Sequence, residues 1–270
     1  MSTPSVALAA PRAGWRAWIS PEAAARILAG IAILAIWEFS VWMWAPAFVA
    51  RPSRIAVVFP TVIVDPALWQ AAGGTLGAVV QGLAIAIVAG TGIGLAIGRV
   101  PVVERFLQLY VSGLFAMPMV AILPLLTLYF GYSGAARLAT VVFAAIFAII
   151  INVSDGARTV PPEYIEVSRS FRGSNWSRLF DVVLPSSVPY LLAGMKLAAG
   201  RALIGAVIAE FYAAIPGLGY YILYNSRTFK HSEAFVAVAL LAIVGVLFEF
   251  LLSNGTRKLL PWYRRDEVRD

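Results

Sequence analysis

The chain has 270 residues, of which 60% are hydrophobic and 13% are charged, with a net charge of +7 at pH 7 and a mean hydropathy of +0.82. Soluble domains carry roughly 25% charged and about 45–50% apolar residues, so this composition excludes a soluble enzyme, a disordered chain and a nucleic-acid-binding domain. The chain has no cysteine and a single histidine, His231, which excludes disulfide frameworks and multi-histidine metal centres. We therefore predict an integral membrane protein with no metal site.

Six apolar stretches are long enough to cross a bilayer, which requires about 20 residues in a helix. In chain order they are residues 25–45, 75–98, 106–129, 135–155, 188–212 and 234–253. Their near absence of charge favours helices, because a helix satisfies its backbone hydrogen bonds internally in lipid. We predict an all-α integral membrane protein, a bundle of six transmembrane helices over residues 25–257. A cytoplasmic amphipathic segment at 1–24 precedes the bundle, and a cytoplasmic tail at 258–270 follows it.

The connecting loops give the orientation. Most of their lysine and arginine residues fall on one side of the bundle, which the positive-inside rule places in the cytoplasm together with both termini. The surplus of positive charge is therefore a topology signal and gives no support to a nucleic-acid partner. The longest connection on the opposite side is 46–73, in which Pro52, Pro60 and Pro66 predict turns.

Small residues recur every fourth position in the second apolar stretch, and this spacing predicts the close approach of another helix. The glycines of this series that we assign to helix packing are Gly82, Gly90, Gly94 and Gly98. A similar series begins at Gly194 in the fifth stretch. There, ordinary glycine and alanine richness of membrane helices is an equal alternative.

Ionisable residues within spans are costly in lipid and usually face the bundle interior or a cavity. We interpret Glu210, near the end of the fifth span, as a pathway or gate residue. The alternative is that it only neutralises Arg201 or Lys196. Because Arg201 and Glu210 are nine residues apart on one helix, they are too distant to pair directly. Any partner of either residue therefore lies on another helix or another subunit.

The third stretch contains a Met-Pro-Met sequence that predicts a bend. Proline frees backbone carbonyls, which membrane helices tolerate where these groups line a cavity or meet a neighbouring helix. A pathway-lining role and a simple packing kink are both open. The candidate pathway residues of the whole chain are Met117, Pro118, Met119, Arg201 and Glu210.

A polar connection at 156–187 separates the fourth and fifth spans. Two prolines followed by Glu163 predict the start of a helix, and Gly173 is predicted to supply a left-handed residue at its end. Ser174 then caps a second short helix, and Pro185 leads the chain back to the membrane. We predict a helix–turn–helix that stands off the cytoplasmic face and binds a soluble partner.

This connection resembles the cytoplasmic signature of permease subunits of bacterial ABC importers, E-A-A-x-x-x-G followed after nine residues by I-x-L-P. Residues 166–168, Glu-Val-Ser, occupy its first positions, and Leu184 and Pro185 close it at the same distance. The glycine position holds Arg172, with Gly173 one residue later. Other stretches resemble the nitrate, sulfonate and taurine branch of these permeases, and the resemblance covers roughly residues 50–262. They are Arg51-Pro52-Ser53, Met117-Pro118, Leu123-Pro124 and Gly217-Leu218-Gly219.

The resemblance implies that this connection couples the chain to an ATPase subunit. The coupling residues that it implies are Glu163, Glu166, Ser168, Arg169, Phe171, Arg172, Gly173, Ser174, Leu184 and Pro185. It also implies a homodimer in the bacterial inner membrane, two ATPase copies and an extracytoplasmic solute-binding protein. The transported solute stays open, since sulfonate-like or nitrate-like anions and neutral molecules are all carried by related permeases.

No ATP-binding motif occurs in the chain. A P-loop requires G-x-x-x-x-G-K-[ST], and none of the three lysines, Lys196, Lys230 and Lys258, follows a glycine. We therefore expect no cofactor here, ATP and Mg²⁺ being bound by the separate ATPase, and no enzyme activity. A secondary transporter driven by an ion gradient is the alternative, but it predicts inverted repeats that we do not find. A membrane enzyme requires a convergent nucleophile and base, which the spans lack.

Overall fold

The computed structural model describes residues 21–46 and 49–259. Most of the predicted N-terminal segment at 1–24 and of the predicted tail at 258–270 lies outside these ranges. Helices account for most of the described residues, which contain no strand. They are α1 (Pro21–Trp44), α2 (Pro52–Ile63), α3 (Pro66–Arg99), α4 (Pro101–Ala116), α5 (Met119–Phe130), α6 (Gly134–Arg158), α7 (Pro162–Ser170), α8 (Asn175–Ser177), a π-helical segment (Arg178–Val183), α9 (Leu184–Ala213), α10 (Leu218–Arg227) and α11 (His231–Leu259).

Five helical units in the described residues are each long and apolar enough to cross a membrane, namely α1, α3, α6, α9 with the short elements before it, and α11. The helices α4 and α5 reach this length only together, and their axes are bent by 104°. The predicted all-α membrane fold is confirmed, with five spans or six if the bent pair counts as one. The third apolar stretch is therefore bent, as predicted, but it is two helices and not one continuous helix. The break falls at Met117 and Pro118, where the chain is extended.

The connection at 46–73 is more helical than the prolines indicated. Pro52 and Pro66 each stand at the start of a helix, where the missing N–H of proline costs nothing. Pro60 lies inside α2. The prediction of turns at these prolines is wrong at Pro60, since α2 continues through it. Asp65 accepts a hydrogen bond from the Ala67 N–H at 2.9 Å and so caps α3, which begins within this connection at Pro66.

The carboxylate of Glu38 on α1 caps the start of α2. It accepts hydrogen bonds from the Ser53 N–H at 2.9 Å and from the Ser53 hydroxyl at 2.7 Å, and Arg51 lies 3.9 Å away. The residue that precedes α2, Arg51, has no capping side-chain bond of its own. A residue of α1 therefore satisfies one backbone donor of α2 that would otherwise lack a partner at this helix start.

The centre of the bundle is α6, which packs between α3 and α9. Its buried residues include Ala145, Ala148 and Ile149. The four glycines of α3 that were assigned to packing all face α6 at short range. A Cβ on Gly94 would lie 2.8 Å from the Ile150 carbonyl oxygen, and one on Gly98 would lie 2.6 Å from the Ser154 carbonyl oxygen.

The other two glycines of the α3 series meet side chains of α6. A Cβ on Gly82 would overlap Val141, and one on Gly90 would lie 3.0 Å from the Ile149 side chain. On α9, Gly194 and Gly205 approach α6 in the same manner, with Ala148 and Thr140 carbonyl oxygens 3.2 and 3.3 Å from the added carbons. Backbone-to-backbone contact of this kind is how membrane helices associate without a hydrophobic driving force.

Candidate functional site

The α6–α9 connection forms a projecting unit at one end of the bundle. The helix α7 begins after Pro161, has Glu163 in its first turn and ends at Ser170. A turn then leads to α8, whose first N–H groups are capped by the Ser174 hydroxyl through a 3.0 Å bond from the Ser177 N–H. Ile165 and Val183 are buried against the main core, so the unit is anchored at two points.

Most of the residues assigned to ATPase coupling are exposed on this unit. Glu163, Glu166, Arg169, Phe171, Arg172, Ser174 and Pro185 are exposed, whereas Ser168, Gly173 and Leu184 are half-buried. We call the exposed part of this unit the α7 surface.

Large aromatic side chains stand in solvent on the α7 surface. Phe171 is 84% exposed, and the rings of Trp176 and Phe180 stack with their centroids 5.8 Å apart. Tyr164 borders a shallow groove of about 390 Å³ between α7 and the start of α9, whose other lining residues include Ser168 and Pro185. Contiguous exposed apolar groups of this kind are typical of a protein contact surface.

The turn after α7 is built on Arg172 and not on Gly173. Arg172 has a φ of +57°, and its N–H donates to the Arg169 carbonyl at 2.8 Å while the Gly173 N–H donates to the Ser168 carbonyl at 2.8 Å. These two bonds define a Schellman motif, whose left-handed position glycine usually fills. The prediction that Gly173 is the left-handed residue is wrong. Gly173 is instead required for space, because an added Cβ would lie 2.7 Å from the Ser168 hydroxyl.

We expect Arg172→Gly to stabilise α7 by about 1 kcal/mol, because a left-handed backbone conformation costs a non-glycine residue roughly that amount of free energy. We expect Gly173→Ala to weaken the same turn, since its methyl group would collide with Ser168. Hydrogen exchange of the α7 amides measures both effects, with slower exchange in the first variant and faster exchange in the second. Equal exchange rates in the two variants would contradict this description of the turn.

A second candidate site surrounds Glu210, which is fully buried near the end of α9. Its carboxylate accepts hydrogen bonds from the Thr75 hydroxyl at 2.8 Å, the Gly219 N–H at 2.8 Å and the Arg137 guanidinium at 3.1 Å. Arg137 also donates to the Pro216 carbonyl at 2.8 Å. This Glu210 network ties together α3, α6, α9 and the start of α10.

Two further contacts enclose the network. The Leu218 N–H donates to the Thr75 hydroxyl at 2.8 Å, and Gly217 is packed so tightly that a Cβ there would overlap the Glu210 carboxylate. The first turn of α10 and the segment before it are therefore held against the network by hydrogen bonds to Glu210, Thr75 and Arg137.

The charged partner of Glu210 is Arg137 on α6, so neither Arg201 nor Lys196 neutralises it. Sequence reasoning named neither Arg137 nor Thr75 as a partner of Glu210. One signal was present: Arg137 lies within the fourth apolar stretch, 135–155, and an arginine in such a stretch calls for a carboxylate partner.

Arg201 lies beside the break between α4 and α5. Its guanidinium carbon is 3.8 Å from the centre of the Phe115 ring, and Nη1 donates to the Phe115 carbonyl oxygen at 3.4 Å. Of the other candidate pathway residues, Met117 and Pro118 are exposed at the break and Met119 is half-buried. Arg201 therefore contacts the last turn of α4 next to the break, and Glu210 lies nine residues, about 13.5 Å, farther along α9 at 1.5 Å per residue.

The described residues contain no group of three or more histidine, cysteine, aspartate or glutamate side chains that could hold a metal ion. Their arrangement offers an exposed contact surface, a buried ion pair and a broken helix.

Residues 82–265 match the family described as "Binding-protein-dependent transport system inner membrane component", and the chain belongs to this family. It is therefore a permease subunit of the ABC importer type, a transport protein and not an enzyme, and the ion-gradient alternative is not favoured. The family is located in the inner membrane, crosses it several times, and works in general with an ATPase and a solute-binding protein.

Three curated relatives cover most of the chain. The taurine transport system permease protein TauC of Escherichia coli is 26% identical over 93% of this chain and 94% of its own length. The formylaminopyrimidine transport permease protein ThiX of Halalkalibacterium halodurans is 28% identical over 86% of this chain and 93% of its own. The nitrate import permease protein NrtB of Leptolyngbya laminosa is 29% identical over 78% and 79%.

Solved structures share the fold at lower sequence identity. A chain of the MetNI methionine ABC transporter in an inward-facing conformation superposes with a TM-score of 0.63 at 18% identity, covering 71% of this chain and 95% of that one. A chain of an amino acid ABC transporter solved with histidines gives a TM-score of 0.61 at 17% identity, covering 76% and 97%. The predicted fold class and the predicted family are both confirmed.

Proposed function

We propose that two copies of this chain form the translocation pathway of an importer, and that two separate ATPase subunits drive it by binding the α7 surface. The ATPases bind ATP and Mg²⁺, and an extracytoplasmic solute-binding protein delivers a small solute to the opposite end. In this proposal the α7 surface and both chain termini are cytoplasmic, as the distribution of lysine and arginine in the loops indicates.

The observation that carries this proposal is the helical continuity between the α7 surface and the core. From Asn175 to Ala213 the chain remains helical without a break, since α8 and the π-helical segment run directly into α9. A displacement of the α7 surface is therefore transmitted to α9, which carries Arg201 and Glu210. Rigid helices that shift between two packed arrangements are a common means of switching membrane and allosteric proteins.

Within this mechanism the Glu210 network acts as a gate at the outer end. Arg137 of α6 holds the Pro216 carbonyl, and Gly217 packs against the Glu210 carboxylate of α9. A change in the position of α9 relative to α6 alters these contacts directly. The residues at the α4–α5 break, Met117, Pro118 and Met119, line the pathway together with Arg201, because a broken helix at membrane depth is tolerated where it borders a cavity.

The test is a charge reversal on the α7 surface. We expect Glu166→Lys to reduce co-purification of the ATPase and ATP-driven uptake by at least about tenfold. Loss of a charged interface contact is expected to cost about 1.4 kcal/mol of binding free energy or more, and 1.4 kcal/mol corresponds to a tenfold loss of affinity. Glu166 is exposed, so the variant should fold normally. Gly173→Pro, which removes the N–H that bonds the Ser168 carbonyl, should have the same effect through the turn.

The matched control is Glu104→Lys. Glu104 lies near the same end of the bundle and is partly exposed, and its ion pair with Arg158 at 3.1 Å joins two side chains that are both near the surface. We expect the control to retain ATPase association and uptake within about twofold, since surface ion pairs contribute little. If Glu166→Lys and Gly173→Pro behave like Glu104→Lys, coupling through the α7 surface is wrong.

A further inference from the structure

A groove at the same end of the bundle as the Glu210 network combines positive charge with apolar side chains. It has a volume of about 390 Å³ and lies between α2 and the turn that joins α10 to α11. Arg54 of α2 and Lys230 of the turn line it, together with Val57 and Glu233. Because two cations face one carboxylate in this groove, its charge suits an anionic ligand.

The helix α2, which forms one wall of the groove, has the properties of a helix at the membrane surface. Its 12 residues are too few to cross a bilayer, and it connects the spans α1 and α3. One side of α2 packs on the core through Val58 and Val62. On the side that is open, Val57 is 76% exposed and Phe59 is 45% exposed. A short helix with exposed apolar side chains next to two spans is typical of the boundary between headgroups and acyl chains.

The opposite wall of the groove contains a strained aromatic residue, Phe229. Its φ is +60°, its N–H donates to the Ser226 carbonyl at 3.3 Å, and the Lys230 N–H donates to the Asn225 carbonyl at 2.8 Å. These bonds define a Schellman motif, whose left-handed position glycine usually fills. A bulky side chain is strained there, yet the Phe229 ring is 68% exposed and borders the groove. Strained residues of this kind cluster at ligand contacts.

The groove is separate from the helices assigned to the translocation pathway. The helix α2 packs on α1 and α11, whereas α4 packs on α3 and α6, and α5 packs on α6 and α9. In the proposed function the second copy meets this chain around the α4–α5 break. That contact therefore involves other helices than the two that form the walls of the groove.

The neighbourhood of charged and apolar groups favours a lipid over a soluble protein. A phospholipid carries its phosphate directly next to its acyl chains, and the groove places Arg54 and Lys230 directly next to Val57 and Phe229. Basic residues at the membrane surface attract anionic lipids, and aromatic side chains are enriched at the same level of the bilayer.

We propose that the groove between α2 and the α10–α11 turn binds an anionic phospholipid. Arg54 and Lys230 bind its phosphate, while Val57 and Phe229 contact the adjoining part of its acyl chains. The inference goes beyond the proposed function and rests on it only for the leaflet, since cytoplasmic termini place the groove in the outer leaflet. Lipid binding by the purified chain does not depend on that orientation.

The first experiment is native mass spectrometry of the purified full chain in detergent micelles with phosphatidylglycerol or phosphatidylcholine. We expect tighter binding of phosphatidylglycerol, which is anionic. Arg54→Gln and Lys230→Gln should each raise its dissociation constant about fivefold, the usual contribution of one basic residue near a membrane surface, and the double variant about 25-fold. The matched control is Arg227→Gln, which removes an exposed cation from the last turn of α10 and should stay within about twofold.

The second experiment tests the aromatic wall with Phe229→Gly. Because glycine accepts a left-handed backbone without strain, this variant should unfold in lipid-free micelles at no lower denaturant concentration than the unmodified chain. Its dissociation constant for phosphatidylglycerol should nevertheless rise about fivefold, since the ring no longer contacts the lipid. An unchanged dissociation constant would show that Phe229 has no part in binding and would contradict the proposed site.

Three other results would overturn the inference. The two lipids could bind equally, or Arg227→Gln could weaken binding as much as the double variant does, which would indicate diffuse surface charge. Displacement of phosphatidylglycerol by an equal concentration of inorganic phosphate would identify a free anion as the ligand. Loss of solute-binding protein association in the double variant, with lipid binding unchanged, would make the groove a protein contact. ATPase association in Glu166→Lys reports the proposed function separately.

Discussion

Replacing Arg137 by methionine is expected to lower the free energy of unfolding by about 3–5 kcal/mol, the usual cost of removing one member of a buried ion pair. The variant leaves the Glu210 carboxylate fully buried with hydrogen bonds from Thr75 and Gly219 but without a cation. Denaturant unfolding of the purified chain in detergent micelles measures the loss.

The control for this prediction is Arg158→Met, which removes the same type of side chain from an ion pair. Arg158 and its partner Glu104 have side chains that are 30% and 38% exposed, whereas Glu210 is fully buried and the Arg137 side chain is 14% exposed. An exposed pair contributes about 0–1 kcal/mol. If the two methionine variants lose equal stability, the buried ion pair between Arg137 and Glu210 does not stabilise the fold more than the exposed pair does.

The function of this network is separable from its stability. Glu210→Gln keeps the shape of the side chain and removes its charge, so Arg137 remains in place with a neutral acceptor. We expect this variant to impair uptake while ATPase association is unchanged, because the α7 surface lies at the other end of α9. Normal uptake in Glu210→Gln would limit Glu210 to a packing role.

Alanine at Gly94 and alanine at Gly92 are expected to change stability in opposite directions. A methyl group at Gly94 would lie 2.8 Å from the Ile150 carbonyl oxygen and 2.8 Å from Val153, so α3 and α6 must separate at a cost of about 1–3 kcal/mol or more. Gly92 is exposed on the same helix, with nothing within 4 Å of an added Cβ. There alanine should raise stability by up to about 1 kcal/mol through its higher helix propensity.

This pair of variants separates helix packing from helix propensity. Both replace glycine by alanine within α3, two residues apart, and only the environment of the added methyl group differs. Unfolding free energies in detergent provide the comparison. A stabilising effect at both positions would show that α3 and α6 are not in close contact at Gly94.

Features that depend on local sequence could be predicted. The length and hydrophobicity of the spans indicated the fold, and the four-residue spacing of small residues indicated the face of α3 that approaches another helix. The partner of that face could not be identified, because α6 presents ordinary alanine, valine and isoleucine residues such as Ala145 and Val153. The spacing of the glycines indicates that another helix packs against this face of α3, but it does not identify that helix.

The Glu210 network shows why the candidate site was only half predicted. Glu210 was conspicuous as a carboxylate within a span, but its partners are distant in the chain, with 73 residues to Arg137 and 135 to Thr75. Threonine is common in membrane helices, so Thr75 carries no signal of its own. The pairing depends on how α3, α6 and α9 pack, which no local pattern encodes.

The turn after α7 illustrates a different limit. Glycine is the residue that tolerates a left-handed backbone most readily, so Gly173 was the reasonable choice for that position. The hydrogen bonds of the turn place the left-handed residue one position earlier, at Arg172. Gly173 meets a different requirement, because a Cβ at that position would lie 2.7 Å from the Ser168 hydroxyl.

The separation between Arg137 and Glu210 also fixes an order of events during synthesis on the ribosome. Arg137 enters the bilayer with α6, but its carboxylate partner is 73 residues away and emerges about 4–15 s later at 5–20 residues per second. Until then the guanidinium must reach toward the lipid headgroups from the first turn of α6. In a nascent chain that stops before α9, Arg137 therefore lies in the membrane without its carboxylate partner. An unpaired intramembrane arginine of this kind distinguishes the incomplete chain from the complete one.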